Sequence, residues 1–139
     1  MDKRKTMSAM ATTVALRSAD PSTKVGCIVE AWGTIQGIGC NQFPSGIPVE
    51  WWSDRKQKYL GVVHAEINAL LDAGNRSRGA NMYITHHPCR DCAKVIAAAG
   101  IKCVVCPPGP WRDDPEIAAS VRDAAEIMKL CGVEVIDAE

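Results

Sequence analysis

Three times between residues 64 and 136 a helix-forming segment is followed by a short apolar run, and this alternation constrains the fold more than any other feature. "HAEINALLDAG" (64–74) places Ile67, Leu70 and Leu71 on one helical face and closes on Gly74. "ANMYIT" (80–85) follows as a strand. "CRDCAKVIAAAG" (89–100) is an alanine-rich helix ended by Gly100, and "IKCVVC" (101–106) is the next strand. A last amphipathic helix, about Glu116 to Leu130, precedes the terminal strand "VEVI" (133–136). Upstream, "KVGCIVEA" and "GTIQGIGC" form a hairpin joined at Gly33. Before it, Met7, Met10, Ala11 and Val14 recur at helical spacing. Helix–strand alternation buries a sheet between helices, so the pattern predicts an α/β sandwich with helices covering a mostly parallel sheet.

Two connections break the rhythm. "NQFPSGIPVEWWSDRKQKY" (41–59) is long and rich in Pro and Gly, with a short helix expected near Trp51 to Lys58. "PPGPWRDDP" (107–115) is the second irregular stretch, and long structured loops often carry function. No repeat or internal boundary divides the 139 residues, which suit one domain, 1–139. A chain of this length buries roughly 68–70% of its unfolded surface.

Sixteen basic residues balance sixteen acidic ones. Zero formal net charge argues against capture of long nucleic acids while permitting a local pocket for one phosphate. Seven cysteines, an odd number, fit metal ligands or small buried side chains in a reducing cytoplasm better than a disulfide framework. The start, "MDKRKTMSAMATTVAL", is basic and then weakly apolar. Thr6, Ser8, Thr12 and Thr13 interrupt it, which favours an amphipathic helix over a leader, and no segment reaches membrane-spanning length.

The chemistry concentrates in "ITHHPCRDCAK" (84–94). Cys89 and Cys92 follow Pro88 at a helix start, where residues three apart share a face and the helix N-terminus favours thiolate. Cys103 and Cys106 have the same spacing on a strand, where positions three apart face opposite sides, so with Cys27, Cys40 and Cys131 they are expected as buried or loop-edge residues. His86 and His87 lie in an extended stretch before Pro88, so at most one can turn to the metal. His64 opens another helix, two residues before Glu66. If the two helix starts meet, His64, Cys89 and Cys92 give zinc three ligands and leave a fourth position open to water beside Glu66.

His-x-Glu followed by Pro-Cys-x-x-Cys is the signature of the zinc nucleobase deaminases. More closely, the chain resembles the deoxycytidylate (dCMP) deaminases of the cytidine deaminase-like superfamily. "RSADPSTKVGC", "GIGCNQFPSG", "HAEINALL", "MYITHHPCRDCAKVIAAAGIK" and "CGVEVI" stand in that family's order. The resemblance implies a three-layer α/β/α fold with a mixed, mostly parallel five-stranded sheet and a zinc held by His64, Cys89 and Cys92. It implies Glu66 as proton shuttle and hydrolysis of dCMP, or a close cytosine nucleotide, to dUMP and ammonia, supplying thymidylate synthesis. It also implies a homo-oligomer, often a hexamer. By the same likeness Asn41 contacts the sugar or base, and the segment from Ser22 to Lys24 lies near the phosphate. Ala65, with its backbone N–H at a helix start, is expected at the substrate, and His86, Pro88 and Trp111 are expected to line its pocket. Arg112 is a candidate phosphate partner, and Trp51 and Trp52 are read as an interface patch or a pocket cap.

Departures limit the likeness. Gln42 stands where the family commonly has glycine, which argues against regulation by a triphosphate effector, and no second zinc-bearing insert is present. Other readings share the motif. In tRNA adenosine deaminases it acts on a flipped base. Neutral charge and "HHPCRDCAK" in place of a Glu-Pro-Cys run argue against that class, whereas deaminases of guanine or other free rings fit the motif equally. A non-catalytic zinc-stabilised binding module would require a closed site completed by His86 or His87.

Overall fold

Asp2 caps the first helix, α1 (Lys3–Ala15), by accepting the Lys5 N–H at 2.9 Å. The computed structural model describes residues 2–138. After α1 the hairpin β1 (Gly26–Ala31) and β2 (Thr34–Cys40) turns at Trp32 and Gly33, both at positive φ. The helix–strand alternation then runs α3 (Ala65–Ala73), β3 (Asn81–Ile84), α4 (Arg90–Ala98), β4 (Cys103–Cys106), α5 (Pro115–Leu130) and β5 (Glu134–Asp137). Among the described residues no helix is long and apolar enough to cross a membrane.

The sheet order is β2-β1-β3-β4-β5. β1 pairs antiparallel with both β2 and β3, while β3, β4 and β5 pair in parallel, so β1 alone runs against the other four strands. A mixed, mostly parallel five-stranded sheet is therefore found as expected. Helices cover both faces. α3, α4 and α5 pack Ala69, Ile96, Ala124 and Met128 against Val29, Met82 and Val104; α1 packs Met7 and Ala11 against Ile28 and Val105 on the other side. Cys103 belongs to the α1 face and Cys106 to the opposite one, as strand alternation requires.

Two helices depart from the stripes read in the sequence. Leu71 is 73% exposed, and the inward stripe of α3 is Ala65, Ala69 and Ala73, with Glu66 and Leu70 beside it. The reason lies in β2. A Cβ on Gly39 would stand 2.5 Å from the Ala65 carbonyl oxygen and collide with the Ala69 N–H, and one on Gly37 would stand 2.5 Å from the Ala69 carbonyl oxygen. Glycines two apart on a strand meet alanines four apart on a helix, so the backbones approach closely and the bulkier Leu71 is turned outward. In α1 the same happens: Met10 is exposed, and Ala11 and Ala15 sit over Gly26.

The long connection is folded rather than irregular. Residues 43–62 leave and rejoin the body at a bridge where Gln42 and Val63 exchange backbone hydrogen bonds of 3.0 and 2.9 Å. Inside it a 3-10 turn (Val49–Ser53) precedes α2 (Arg55–Gly61), whose cap Asp54 accepts the Lys56 and Gln57 N–H groups. Trp52 stacks on Phe43 at 3.9 Å, and Trp51 and Ile47 close against Gly61. The tryptophan pair thus makes the loop's own small core.

Replacing Gly39 by Ala should cost about 2–3 kcal/mol through overpacking against helix backbone that cannot yield cheaply. Urea unfolding measures this; an unchanged midpoint would mean that α3 is not seated on β2 as described.

Candidate active site and metal centre

Parallel strands direct their C-terminal ends, and the helices that follow, to one edge of a sheet, where α/β proteins form their ligand crevice. Here β3 ends at Ile84, and residues 85–89 carry the chain into α4. Thr85 pins this turn to β1: its N–H donates to the Gly26 carbonyl at 3.1 Å and its Oγ1 accepts the Gly26 N–H at 3.1 Å. Cys89 is the N-cap of α4, its Sγ accepting the Cys92 N–H at 3.5 Å. His64 is the N-cap of α3 and makes no side-chain capping bond, which leaves its ring free. The two helix starts meet: His64 Nδ1 lies 3.2 Å from Cys92 Sγ and 3.6 Å from Cys89 Sγ.

These three donors lie within 4.8 Å of one another, and among the described residues they are the group of this kind that can hold a metal ion. Their chemistry fits zinc. The hydrogen bonds from Cys92 and His64 pull the Cys89 thiol down to about 4, while that neighbouring sulfur pushes Cys92 well above the ordinary thiol range. Two adjacent sulfurs thus share one proton, and both become thiolates when a divalent cation supplies the balancing charge. The positive ends of α3 and α4 point at the same place. The bond to Cys89 raises the His64 pKa, so metal and proton compete for the ring.

Glu66, in the first turn of α3, is 4% exposed. Burial pushes its carboxyl up to about 7, against the pull of the His64 imidazole. A carboxyl poised near neutrality beside a metal group suits proton transfer. Cys27 and Cys106 lie in the same apolar layer, and burial raises both thiols, so they form an inert floor.

His64, Ala65, Glu66 and Cys89 open into a cleft of about 600 Å³ that is also lined by Asn41, His86, His87 and Trp111. The His86 ring meets Trp111 edge-on at 5.5 Å, and burial, then the nearby Arg112 guanidinium, lowers its pKa. His87 is buried with Nδ1 2.9 Å from the Pro88 carbonyl oxygen, and neither histidine belongs to the metal group. Asn41 reaches the cleft, yet its amide is engaged in the fold: Oδ1 accepts the Val25 N–H, and Nδ2 donates to the Thr23 carbonyl and to Asp20. Ser22, Lys24 and Pro88 do not line the cleft. Lys24 donates to the Ser18 carbonyl, Ser22 bonds Asp20 and Lys58, and Pro88 is fully buried. Thr23 and Val25 line it instead.

Asp20, Arg55, Lys58 and Tyr59 also line the cleft, with no role expected of them from the sequence. Asp20 is 1% exposed and accepts from Lys58, Asn41 and the Ser22 and Thr23 N–H groups. Burial alone would raise its pKa; these donors outweigh it and hold the carboxyl below its ordinary value. The signal available was Asp20 before Pro21, a residue type and place suited to a turn whose carboxylate bonds its own following backbone.

The profile of the family described as "Cytidine and deoxycytidylate deaminase zinc-binding region" matches residues 1–107. Deoxycytidylate deaminase of Mus musculus is 39% identical over 134 residues, covering 90% of this chain and 73% of the mouse protein. Among solved structures, the dCMP deaminase from cyanophage S-TIM5 in complex with dCMP and dUMP matches with a TM-score of 0.76 and 31% identity, over 97% of this chain and 96% of the phage chain. Acinetobacter baumannii RibD matches 97% of this chain with 35% of its own length, at 28% identity and a TM-score of 0.71.

Metal analysis of purified variants tests the donor set. Wild type and Glu66→Gln should retain about one zinc per chain, while His64→Ala, Cys89→Ser and Cys92→Ser each lose it or bind at least about 10- to 100-fold more weakly. Stoichiometric zinc in Cys92→Ser would contradict the assignment.

Proposed function

This chain belongs to the cytidine and deoxycytidylate deaminase zinc-binding family, and from that membership we propose that it hydrolytically deaminates dCMP, or a close cytosine nucleotide, to dUMP and ammonia in one zinc-dependent deaminase domain. The observation that carries this reading is Glu66, buried at the floor of a cleft beside the convergent His64, Cys89 and Cys92. Held by those three residues, zinc supplies Lewis-acid chemistry that brings the pKa of a water down to about 7.

The chain's own residues do the rest. Glu66 accepts a proton from the attacking water at a carboxylate oxygen and passes it to ring N3 as the water oxygen bonds to C4. It then takes that oxygen's remaining proton and delivers it to the amino nitrogen as the C4–N bond breaks, releasing ammonia. Its raised pKa lets one group act as base and then as acid near neutral pH. The first N–H groups of α3, at Ala65 and Glu66, precede the first intrahelical bond, Asn68 N–H to the His64 carbonyl. The Ala65 N–H is placed to hold the ring and the charge developing on it, while the Glu66 N–H donates to its own carboxylate. His86 and Trp111 form an aromatic wall for the base, and Arg112 supplies a cation for the phosphate.

The mouse and phage relatives, which are named for this reaction, support the choice of dCMP. Seven unpaired cysteines are in keeping with a reducing cytoplasm, and a homo-oligomer belongs to this proposal on the family likeness alone.

Ammonia release from dCMP tests the proposal. Wild type should turn dCMP over, and Glu66→Gln should lower kcat by about 10²- to 10⁴-fold. Wild-type kcat in Glu66→Gln, or ammonia released by wild type from guanine alone, would overturn it.

A further inference from the structure

The arm formed by residues 43–62 carries a feature that the deamination chemistry does not require. Helix α2 buries none of its seven residues. Among the described residues, the arm's side-chain hydrogen bonds to the rest of the fold all come from Lys58. Its ammonium reaches Asp20 at 2.9 and 3.0 Å and the Ser22 hydroxyl at 3.0 Å. Asp20 and Lys58 are 2% and 16% exposed at their side chains, so this pair is largely removed from water. Apart from Gly61, which packs on the loop's own small core, α2 is tied to the rest of the fold through this one ion pair at the cleft.

That arrangement decides which cations remain free. Lys58 is neutralised by Asp20. Arg55, one helical turn earlier, and Arg112, in the loop after β4, line the same cleft and have no carboxylate partner among the described residues. Arg55 lies with its guanidinium 5.5 Å from the Tyr59 ring centroid, a weak contact that leaves its N–H groups unused. Arg112 touches the Thr23 hydroxyl at 3.4 Å, next to the Ser22 hydroxyl that Lys58 bonds, so α2 and the post-β4 loop converge on residues 22–23. Asp91, Asp114 and Glu116 also line the cleft and disfavour an anion beside them. Two guanidinium forks suit a dianionic phosphate better than one.

Resting on the nucleotide reading above, we propose that Arg55 is a specificity-determining residue that takes the substrate phosphate together with Arg112, and that Lys58 is a positioning residue which, through Asp20, holds α2 at that reach. The neck of the arm, Gln42–Val63, adjoins Asn41 on one side and the metal-binding His64 on the other. A phosphate held by α2 therefore settles the arm at the point where it joins the site.

Steady-state kinetics with dCMP, with inorganic phosphate as competing inhibitor, tests this. Arg55→Gln should raise KM about 10- to 100-fold with kcat within about twofold, as loss of one charge-assisted contact implies, and should weaken phosphate inhibition in proportion. Lys58→Met should shift both in the same direction, and Lys58→Arg should restore them, which a merely structural defect would not do. If wild type turns dCMP over and Arg55→Gln keeps its KM and phosphate inhibition, or loses kcat alone, the inference is overturned while the function stands. Absence of dCMP turnover in wild type would overturn both.

Discussion

Backbone against backbone, Gly37 and Gly39 of β2 receive Ala65, Ala69 and Ala73 of α3 with no room for another methyl group. This seating fixes the height and rotation of α3 over the sheet, and with them the position of its first turn, which carries His64 and Glu66. The other half of the site depends on a matching constraint, the Thr85 hydrogen bonds that fasten the turn before α4 to Gly26. Two helix N-termini are thereby held at one edge of the sheet with an imidazole nitrogen and two sulfurs converging between them. Close packing holds them without relying on any mobile side chain.

The electrostatics follow from that placement. Burial is costly for a charged carboxylate, and it is what lifts Glu66 toward neutrality. The same low-dielectric layer keeps Cys27 and Cys106 protonated and unreactive. Cys89 escapes this fate because it stands at a helix start with an S–H and an imidazole pointing at it. One apolar layer therefore yields three kinds of behaviour: inert thiols in its interior, a thiolate at its rim, and a carboxyl between them able to hold or release a proton.

Most of the scaffold was legible because it is written locally. The alternation of helix and strand, the hairpin at Gly33, and Cys89 and Cys92 on one helical turn all rest on periods of two and 3.6 residues. The opposite facing of Cys103 and Cys106 rests on the same alternation, and the meeting of His64 with the two cysteines could be anticipated from two helix starts sharing a sheet edge. What escaped was written between segments. Leu71 looks like a core residue until Gly37 and Gly39 are placed beneath its helix. Within the segment from Ser22 to Lys24, expected near the phosphate, it is Thr23 that lines the cleft, a detail that local sequence does not decide. Arg55 and Lys58 gave no local sign, since only the return of residues 43–62 to the Gln42–Val63 bridge brings them to the cleft. Trp51 and Trp52 read as an interface patch or a pocket cap, and their contacts with Gly61 and Phe43 arise only once the loop folds on itself.

The central claim is that the metal centre is open, with three protein ligands drawn from two helix starts and the histidines of "THHPC" left to the cleft. Zinc-edge X-ray absorption on the metal-loaded protein tests this most directly. The expected coordination is two sulfur scatterers, one imidazole nitrogen and a single further oxygen. A second imidazole, contributed by His86 or His87, would show a closed site and contradict it.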